Sequence, residues 1–284
     1  MTYQECAASA ARRLERAGFE PDAARLDVTV IARSILDWDQ ARWLTDLTRN
    51  APATFVEALD AATERRARRE PVAYIVGRRE FFGRDFIVTP AVLIPRPDTE
   101  MVVTAALECL EDLPADALVV DVGTGSGCLA VSLAAERPAV RVVAIDVSRA
   151  ALDVARSNAE RLGTADRVEF RQASAAQDLG LQPHLIVSNP PYVREAERAT
   201  LPPDVVDFEP STALFAGSDG LDVIRDLVAM ADRTLAPGGC LVFEIGWDQA
   251  EQARRLVDRA QGLALSAIKT DIESRPRVCV AGRR

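Results

Sequence analysis

Histidine and lysine are almost missing from this chain: His184 and Lys269 are the only ones among 284 residues. A single imidazole excludes multi-histidine metal sites and makes a His-based triad improbable. Cysteine offers no substitute, because Cys6, Cys109, Cys128, Cys240 and Cys279 are widely scattered and form no C-x-x-C pair, so no metal is expected. Also missing are the roughly 18 to 20 consecutive apolar residues of a membrane span and, at the N-terminus, the apolar core of a signal peptide. A cytoplasmic protein is expected. Basic charge is short as well: 34 basic side chains face 43 acidic ones, a net charge of −9. That argues against general nucleic-acid binding, whose affinity comes largely from phosphate neutralisation. The near-exclusive use of arginine among the basic residues, with abundant alanine, reads as a coding bias.

What is present is an ordinary globular composition, 48% hydrophobic and 27% charged, in a chain long enough to bury its core without disulfide staples. Over residues 1–75 apolar side chains recur at helical spacing, in Leu26, Val30 and Ile31 and again in Phe55, Val56, Leu59 and Ala62, while Pro21 and Pro52 stand where helices can begin. A small helical domain is expected there. Residues 76–95 include the aromatic, β-branched stretch Arg79 to Val88 with Gly83 near its turn, which reads as a β-hairpin joining the domains. Pro95 and Pro97 then hold the chain extended, Asp98 or Thr99 can cap the next helix, and Glu100 suits its N-terminal dipole. Charge divides at the same place: residues 1–95 carry 14 arginines and 14 acids, so the whole deficit lies in residues 96–284. The run Glu64 to Glu70, with arginines at 65, 66, 68 and 69, reads as a solvated helix face.

From residue 118 the pattern changes to short β-branched runs at 118–122, 140–145, 168–170, 185–187 and 241–245, most of them separated by helical stretches such as 151–162 and 221–235. That alternation predicts an α/β fold with a parallel sheet wound on both faces, and Arg277 to Ala281 would be its final strand. The first strand leads into Gly123-Thr124-Gly125-Ser126-Gly127, where glycines let the backbone turn tightly and approach a ligand at the strand's carboxyl end. Cys128 stands where a dinucleotide fingerprint would have its third glycine, so the spacing departs from that motif. Asp146 ends the second strand, where a carboxylate can accept hydrogen bonds from both hydroxyls of a ribose. The fourth strand runs into Asn189-Pro190-Pro191-Tyr192. Two prolines stiffen this loop and remove backbone donors, so the Asn189 side chain and the Pro190 carbonyl can act as a fixed pair of acceptors for a planar NH2 group. Positioning of that weakly nucleophilic nitrogen for in-line attack is the chemistry such a pair suits, and the Tyr192 ring offers a surface for a planar substrate or a cation.

Asp121 to Gly127, Asp146 and Asn189 to Tyr192 together resemble the S-adenosylmethionine-dependent amino methyltransferases. Within them, Ile94-Pro-Arg-Pro-Asp-Thr-Glu100 resembles the peptide chain release factor N5-glutamine methyltransferases. So do Glu70-Pro71 to Gly77, Phe81-Phe82-Gly83, Glu209-Pro210, Gly217 to Leu221, Gly238-Gly239 and Glu244-Ile245-Gly246. The resemblance implies a doubly wound Rossmann-like methyltransferase sheet over residues 96–284 and a substrate-recognition role for the N-terminal helical domain. It implies that S-adenosyl-L-methionine is the cofactor, with Gly123, Thr124, Gly125, Ser126 and Gly127 on its methionine part, Asp146 on its ribose and Asn189 facing both methyl donor and acceptor. Asn189, Pro190, Pro191 and Tyr192 would bind the substrate glutamine, in the Gly-Gly-Gln loop of class 1 release factors, with Asn189, Pro190 and Tyr192 carrying the catalysis. After the third strand the family often has an acidic residue followed by a larger side chain that helps hold adenine; here the stretch is Arg171-Gln172-Ala173-Ser174-Ala175, and no residue is assigned to the adenine.

Three other readings share parts of this pattern. An adenine N6 methyltransferase also presents a planar amine to such a motif, but it must grip nucleic acid and usually extrude the base, and the charge balance disfavours it. A ribosomal-protein glutamine methyltransferase shares the chemistry, whereas the segment Pro95 to Glu100 leans toward release factors. A catalytically silent adenosine-binding module would have no need of the amine-positioning pair. The expected partner is therefore a class 1 release factor, acted on by a monomer.

Overall fold

The computed structural model describes residues 1–284. They divide into two compact units, Met1–Arg78 with Pro202–Phe208, and Arg79–Leu201 with Glu209–Arg284.

The first unit is helical: α1 (Tyr3–Arg16), α2 (Pro21–Leu36), α3 (Gln40–Asp46), α4 (Ala53–Ala67) and α5 (Val72–Val76), with one further turn at Pro203–Val206. Thr2 opens α1 with a capping box, its hydroxyl accepting from the Glu5 amide while the Glu5 carboxylate accepts from the Thr2 amide at 2.8 Å. Pro21 occupies the first position of α2, where its missing N–H has no intrahelical partner to lose. The core gathers Leu14, Ile31, Trp43, Phe55 and Leu59. Two expectations change here. Leu26 is 64% exposed and Val30 lies outside the core; the buried face of α2 is Ala24, Val28, Ile31 and Ala32. Ile31 is buried as expected, but Ala24 and Ala32 complete its stripe with Val28 in place of Leu26 and Val30. The arginine run is not a solvated face either. Arg66 is buried, bonds Asp27 at 2.7 Å and lies 4.4 Å over the Phe19 ring, and Arg69 stacks 4.0 Å from the same ring while donating to the Ala17 and Gly18 carbonyls. Only Arg65 and Arg68 make surface pairs, with Glu70 and Glu64.

The second unit opens with the hairpin β1 (Arg78–Phe81) and β2 (Arg84–Ile87) and continues into α6 (Glu100–Glu111), β3 (Leu118–Val122), α7 (Cys128–Glu136), β4 (Arg141–Asp146), α8 (Arg149–Arg161), β5 (Val168–Gln172), β6 (Leu185–Ser188), β7 (Cys240–Glu244), β8 (Leu263–Thr270) and β9 (Pro276–Arg283). Helices Asp222–Thr234 and Ala250–Arg259 flank β7 in sequence. The last seven strands form one sheet, ordered β5-β4-β3-β6-β7-β9-β8. The first five are parallel and β9 runs antiparallel to both neighbours. The run at 277–281 is thus a strand, as expected, but of opposite direction, and its partner β8 is a half-buried edge strand without a β-branched run to announce it.

Alternate residues of each strand face opposite cores. Val119, Val142, Leu185 and Val187 pack against α6, α7 and the hairpin's Phe81 and Phe86; Val120, Val143, Ile186, Leu241 and Phe243 pack against the helices at 222–234 and 250–259. The chain crosses from β3 to β4 on one side and returns to β6 on the other, so a crevice opens at the carboxyl ends of β3 and β6, the topological switch point where open α/β sheets bind ligands. His184 lies at the opposite end of β6, its Nδ1 accepting from the Leu118 amide at 3.0 Å.

Thr99 stands at the N-cap position of α6, as expected, but neither its side chain nor that of Asp98 makes a capping bond. The helix is entered through a tight turn at Pro97–Thr99, Asp98 pairs with Arg277 at 3.1 Å, and the Thr99 hydroxyl is committed elsewhere.

Candidate active site

The glycine loop leaves β3 and folds over the end of β4, the amides of Gly123 and Thr124 both donating to the Ile145 carbonyl at 2.9 Å. Gly127, at φ +81°, precedes α7 in the left-handed region that favours glycine, and a Cβ there would crowd that of Ala155 on α8 at 3.1 Å. Asn158 of α8 clasps the loop to the hairpin: its Nδ2 donates to the carbonyls of Ser126 and Ile87 at 2.9 Å and its Oδ1 accepts from the Ile87 amide at 2.7 Å. Asp146 holds the loop from the other side, accepting from the Gly125 amide at 2.9 Å and from the Ser148 amide at 2.8 Å.

Beneath the loop Asp121 is fully buried, with Oδ2 accepting from the Thr124 hydroxyl at 2.7 Å and the Ala130 amide at 3.1 Å. Its other oxygen has no partner. Burial pushes its carboxyl up to about 7 against the pull of those two bonds, and the charge of Asp146 adds to the rise. The Ser126 hydroxyl is buried with only the Cys128 thiol, a weak partner, beside it.

At the end of β6 the Ser188 hydroxyl donates to the Val122 carbonyl at 2.7 Å and fixes the distance between the two strand ends. Asn189 follows. Its Nδ2 donates to the Thr99 hydroxyl at 2.9 Å, Thr99 donates to Glu244 Oε2 at 2.6 Å, and the Tyr192 hydroxyl donates to Glu244 Oε1 at 3.0 Å. No group of the chain claims the Asn189 Oδ1 or the Pro190 carbonyl. Glu244, at the end of β7, is 2% exposed, and burial raises its carboxyl above the ordinary range, with Asp98 adding to the rise and Thr99, Tyr192 and Arg277 opposing it. Burial, with the charge of Glu244, raises the Tyr192 phenol in turn. The backbone of this loop is held by Gln249, which donates to the carbonyls of Tyr192 at 3.0 Å and Gly220 at 3.3 Å. Any side chain at Gly220 would strike the Tyr192 carbonyl. The buried Glu209 accepts from the Ile94 amide at 3.1 Å and pairs with Arg96.

One cavity brings Gly123, Thr124, Gly125, Ser126, Asp146, Asn189 and Pro191 together, and Thr99, Val147, Ser148 and Ala173 to Ala175 also line it. Gly127 stands behind the wall against α8, Pro190 is buried, and the Tyr192 ring turns toward the core beside Glu244. Sequence reasoning gave Thr99 only a helix-capping role and assigned none to Asn158, Glu209, Glu244 or Gln249. Thr99, Glu209 and Glu244 lie in motifs that carried the family resemblance; Asn158 and Gln249 left no signal beyond a polar residue in an amphipathic stretch.

A family model described as a methyltransferase small domain matches residues 102–202, and one described as a PrmC N-terminal domain matches residues 5–77. The chain is 40% identical over 286 residues to the release factor glutamine methyltransferase of Koribacter versatilis, covering 100% of this chain and 99% of that protein. It is 44% identical to the protein of the same name from Xylella fastidiosa, covering 90% and 92%. Among solved structures, a ribosomal protein L11 methylase from Lactobacillus delbrueckii subsp. bulgaricus shares the fold at 19% identity, with a TM-score of 0.50 over 72% of this chain and 90% of that one.

Proposed function

The chain belongs to the release factor glutamine methyltransferase family, and from that premise we propose that it transfers a methyl group from S-adenosyl-L-methionine to the side-chain amide nitrogen (N5) of the glutamine in the Gly-Gly-Gln loop of class 1 release factors. The observation that carries the reading is Asn189, which lines the same cavity as the glycine loop and Asp146 and leaves its side-chain oxygen unclaimed.

The cofactor wall fits the proposed ligand. Backbone at Gly123 to Ser126 borders the cavity, Asp146 has lone pairs beyond the two already used, and the buried Asp121 oxygen and Ser126 hydroxyl lack full partners. Gly127 shapes the loop from behind. When bound, the cofactor supplies an electrophilic methyl group on a positively charged sulfur. The Asp146 side chain puts an acidic group at this end of the cavity, which is favourable for a cation.

On the acceptor side, Asn189 Oδ1 and the Pro190 carbonyl accept the two hydrogens of the glutamine amide and fix its plane. An amide nitrogen is a poor nucleophile because its lone pair is delocalised; holding both hydrogens draws density back toward nitrogen and aims it, which replaces a strong base by positioning. The surplus proton leaves the methylated nitrogen for solvent. Pro191 shapes the entrance and Tyr192 holds the loop through Glu244. In this reading residues 96–284 carry methyl transfer, residues 76–95 supply the hairpin, and residues 1–75 recognise the release factor.

The test is radiolabelled methyl transfer from S-adenosylmethionine to purified release factor, alongside DNA and ribosomal protein, with the modified residue mapped by mass spectrometry. The expected product is one methyl group on the glutamine of the Gly-Gly-Gln loop. Label appearing only in nucleic acid, or only in ribosomal protein, would overturn the reading.

A further inference from the structure

We propose that Thr99 and Glu244 are positioning residues that set which way round the Asn189 side chain is presented, so that its oxygen and not its NH2 faces the methyl acceptor. This rests on the reading of Asn189 as an acceptor for the substrate amide.

A primary amide is nearly symmetric in shape, and a half turn about its last bond exchanges a hydrogen-bond acceptor for a donor. For a substrate NH2 the wrong orientation brings two donors face to face, and neither prolines nor loop rigidity can prevent it. Something must read the difference between oxygen and nitrogen, and in this site the Thr99 hydroxyl does so. It has one proton to give and sits 2.6 Å from Glu244 Oε2. With that proton committed to the carboxylate, Thr99 can only accept, and the group that meets it at 2.9 Å must be a donor, the Asn189 Nδ2. Oδ1 is left on the other side of the amide, where no group of the chain claims it.

Glu244 has no other evident task. It is buried at the end of β7 and both of its oxygens receive hydroxyls, one from Thr99 and one from Tyr192, so one carboxylate fixes both ends of the Asn189 to Tyr192 loop. The groups around it are Asp98 and Thr99 ahead of α6, Tyr192 beyond β6, Arg277 of β9 and, further off, Cys128 of α7. Burial is the largest influence on this carboxyl and raises it, with the Asp98 charge adding to the rise; the two hydroxyls donated to it and Arg277, which also holds Asp98 at 3.1 Å, are the partners an anion would have and oppose that rise. Were the proton instead on Oε2, it would be donated to Thr99, the Thr99 proton would turn to Asn189, and the amide would be drawn round into the unproductive orientation. The three residues come from segments separated by 90 and 55 positions, 99, 189 and 244. The burial of a carboxylate here is hard to account for as packing, since an apolar residue would fill the same space without desolvating a charge.

The experiment compares unaltered protein with Thr99→Val, which keeps the shape and removes the relay, and Thr99→Ser, which restores it. With saturating cofactor and a glutamine peptide, Thr99→Val is expected to lose about 100-fold in kcat, a loss of about 2.7 kcal/mol of transition-state stabilisation. Affinity for S-adenosylhomocysteine should stay within about threefold, and Thr99→Ser should recover most of the loss, a combination that a purely structural role would not give. Wild-type kcat in Thr99→Val overturns the proposal. A second measurement needs no variant. The chain has only three asparagines, Asn50, Asn158 and Asn189, so asparagine-specific 15N labelling gives three side-chain amides. Asn50 is exposed and Asn158 has both amide hydrogens bonded, to the Ile87 and Ser126 carbonyls. The third is expected to show one proton protected from exchange and one not; two rapidly exchanging protons on it would sink the relay. Failure of the unaltered protein to methylate glutamine at all would instead bring down the functional reading on which the proposal stands.

Discussion

The two walls of the cavity are built on opposite plans. On the acceptor wall the polar side chains are tied to one another before any ligand arrives: Asn189 to Thr99, Thr99 and Tyr192 to Glu244, and Gln249 to the backbone of the same loop. Only the Asn189 oxygen is left over. On the cofactor wall the backbone is firmly held but the Ser126 hydroxyl that lines it is unfinished, as is the Asp121 Oδ1 buried beneath the loop. Unpaired buried polar groups are rare and each raises the free energy of the state that contains it. The difference teaches where each wall gets its order. The acceptor wall is ordered by the chain itself, which suits a reaction whose barrier is lowered by orientation, while in the proposed reading the cofactor wall is left for its ligand to complete.

The strongest way to break this contrast is at its most ordered point. Asn189→Ala is expected to lower turnover by about 1,000-fold, on the order of 4 kcal/mol, while leaving cofactor affinity within about threefold. Single-turnover methyl transfer and calorimetry measure the two quantities. A variant that lost cofactor affinity as severely as turnover would put Asn189 in the wrong wall. Next in size is the pH dependence of the empty protein. In the folded chain Asp121 titrates at about 7, against an unfolded value near 3.8. Between those values the unfolded chain is ionised and the folded one still protonated, so folding takes up a proton. Stability therefore falls as pH rises through that window and levels off above it. The swing is on the order of 4 kcal/mol. Urea melts of the empty protein from pH 5 to 8 should show the part above pH 5, about 2.7 kcal/mol, and Asp121→Asn should flatten it; a slope unchanged in Asp121→Asn would mean the unfinished carboxylate is not its source.

How much of this was legible beforehand follows the same division. The central strands β3, β4 and β6 announce themselves because they are buried on both faces and read as apolar, β-branched runs, and the glycine loop does so because Gly127 takes a left-handed φ with a Cβ position crowded by Ala155. The crevice then follows from strand order. Side-chain relays leave no such trace. Thr99 reads as a helix cap in sequence, since a threonine before a helical stretch usually is one, and only the fold brings Glu244 near enough to take its proton. The edge strand β8 was hidden because it is only half-buried and mixes polar with apolar residues, and the buried face of α2 because two of its four residues are alanines. Arg66 and Arg69 look solvated in a charge run, yet the ring of Phe19, nearly fifty residues earlier, binds both.

The remaining predictions sharpen the cofactor wall. Asp146→Ala removes the acceptor proposed for the ribose and also strands the amides of Gly125 and Ser148. Cofactor affinity should fall by at least about tenfold and the melting temperature should fall with it; unchanged affinity in calorimetry would end the ribose assignment. Ser126→Ala separates the two effects that Asp146 confounds. Its hydroxyl has no full partner in the chain, so deleting it relieves a buried polar group and should leave the empty protein as stable as before or more stable by about 1 kcal/mol. If that group is left for the ligand, cofactor affinity should drop by about three- to tenfold while stability does not. The opposite pattern, a lower melting temperature with unchanged affinity, would mean that the contact with the Cys128 thiol matters after all and that the cofactor wall is as self-sufficient as the acceptor wall. Stability and affinity moving in opposite directions is thus the signature that distinguishes a site completed by its ligand from one completed by its fold.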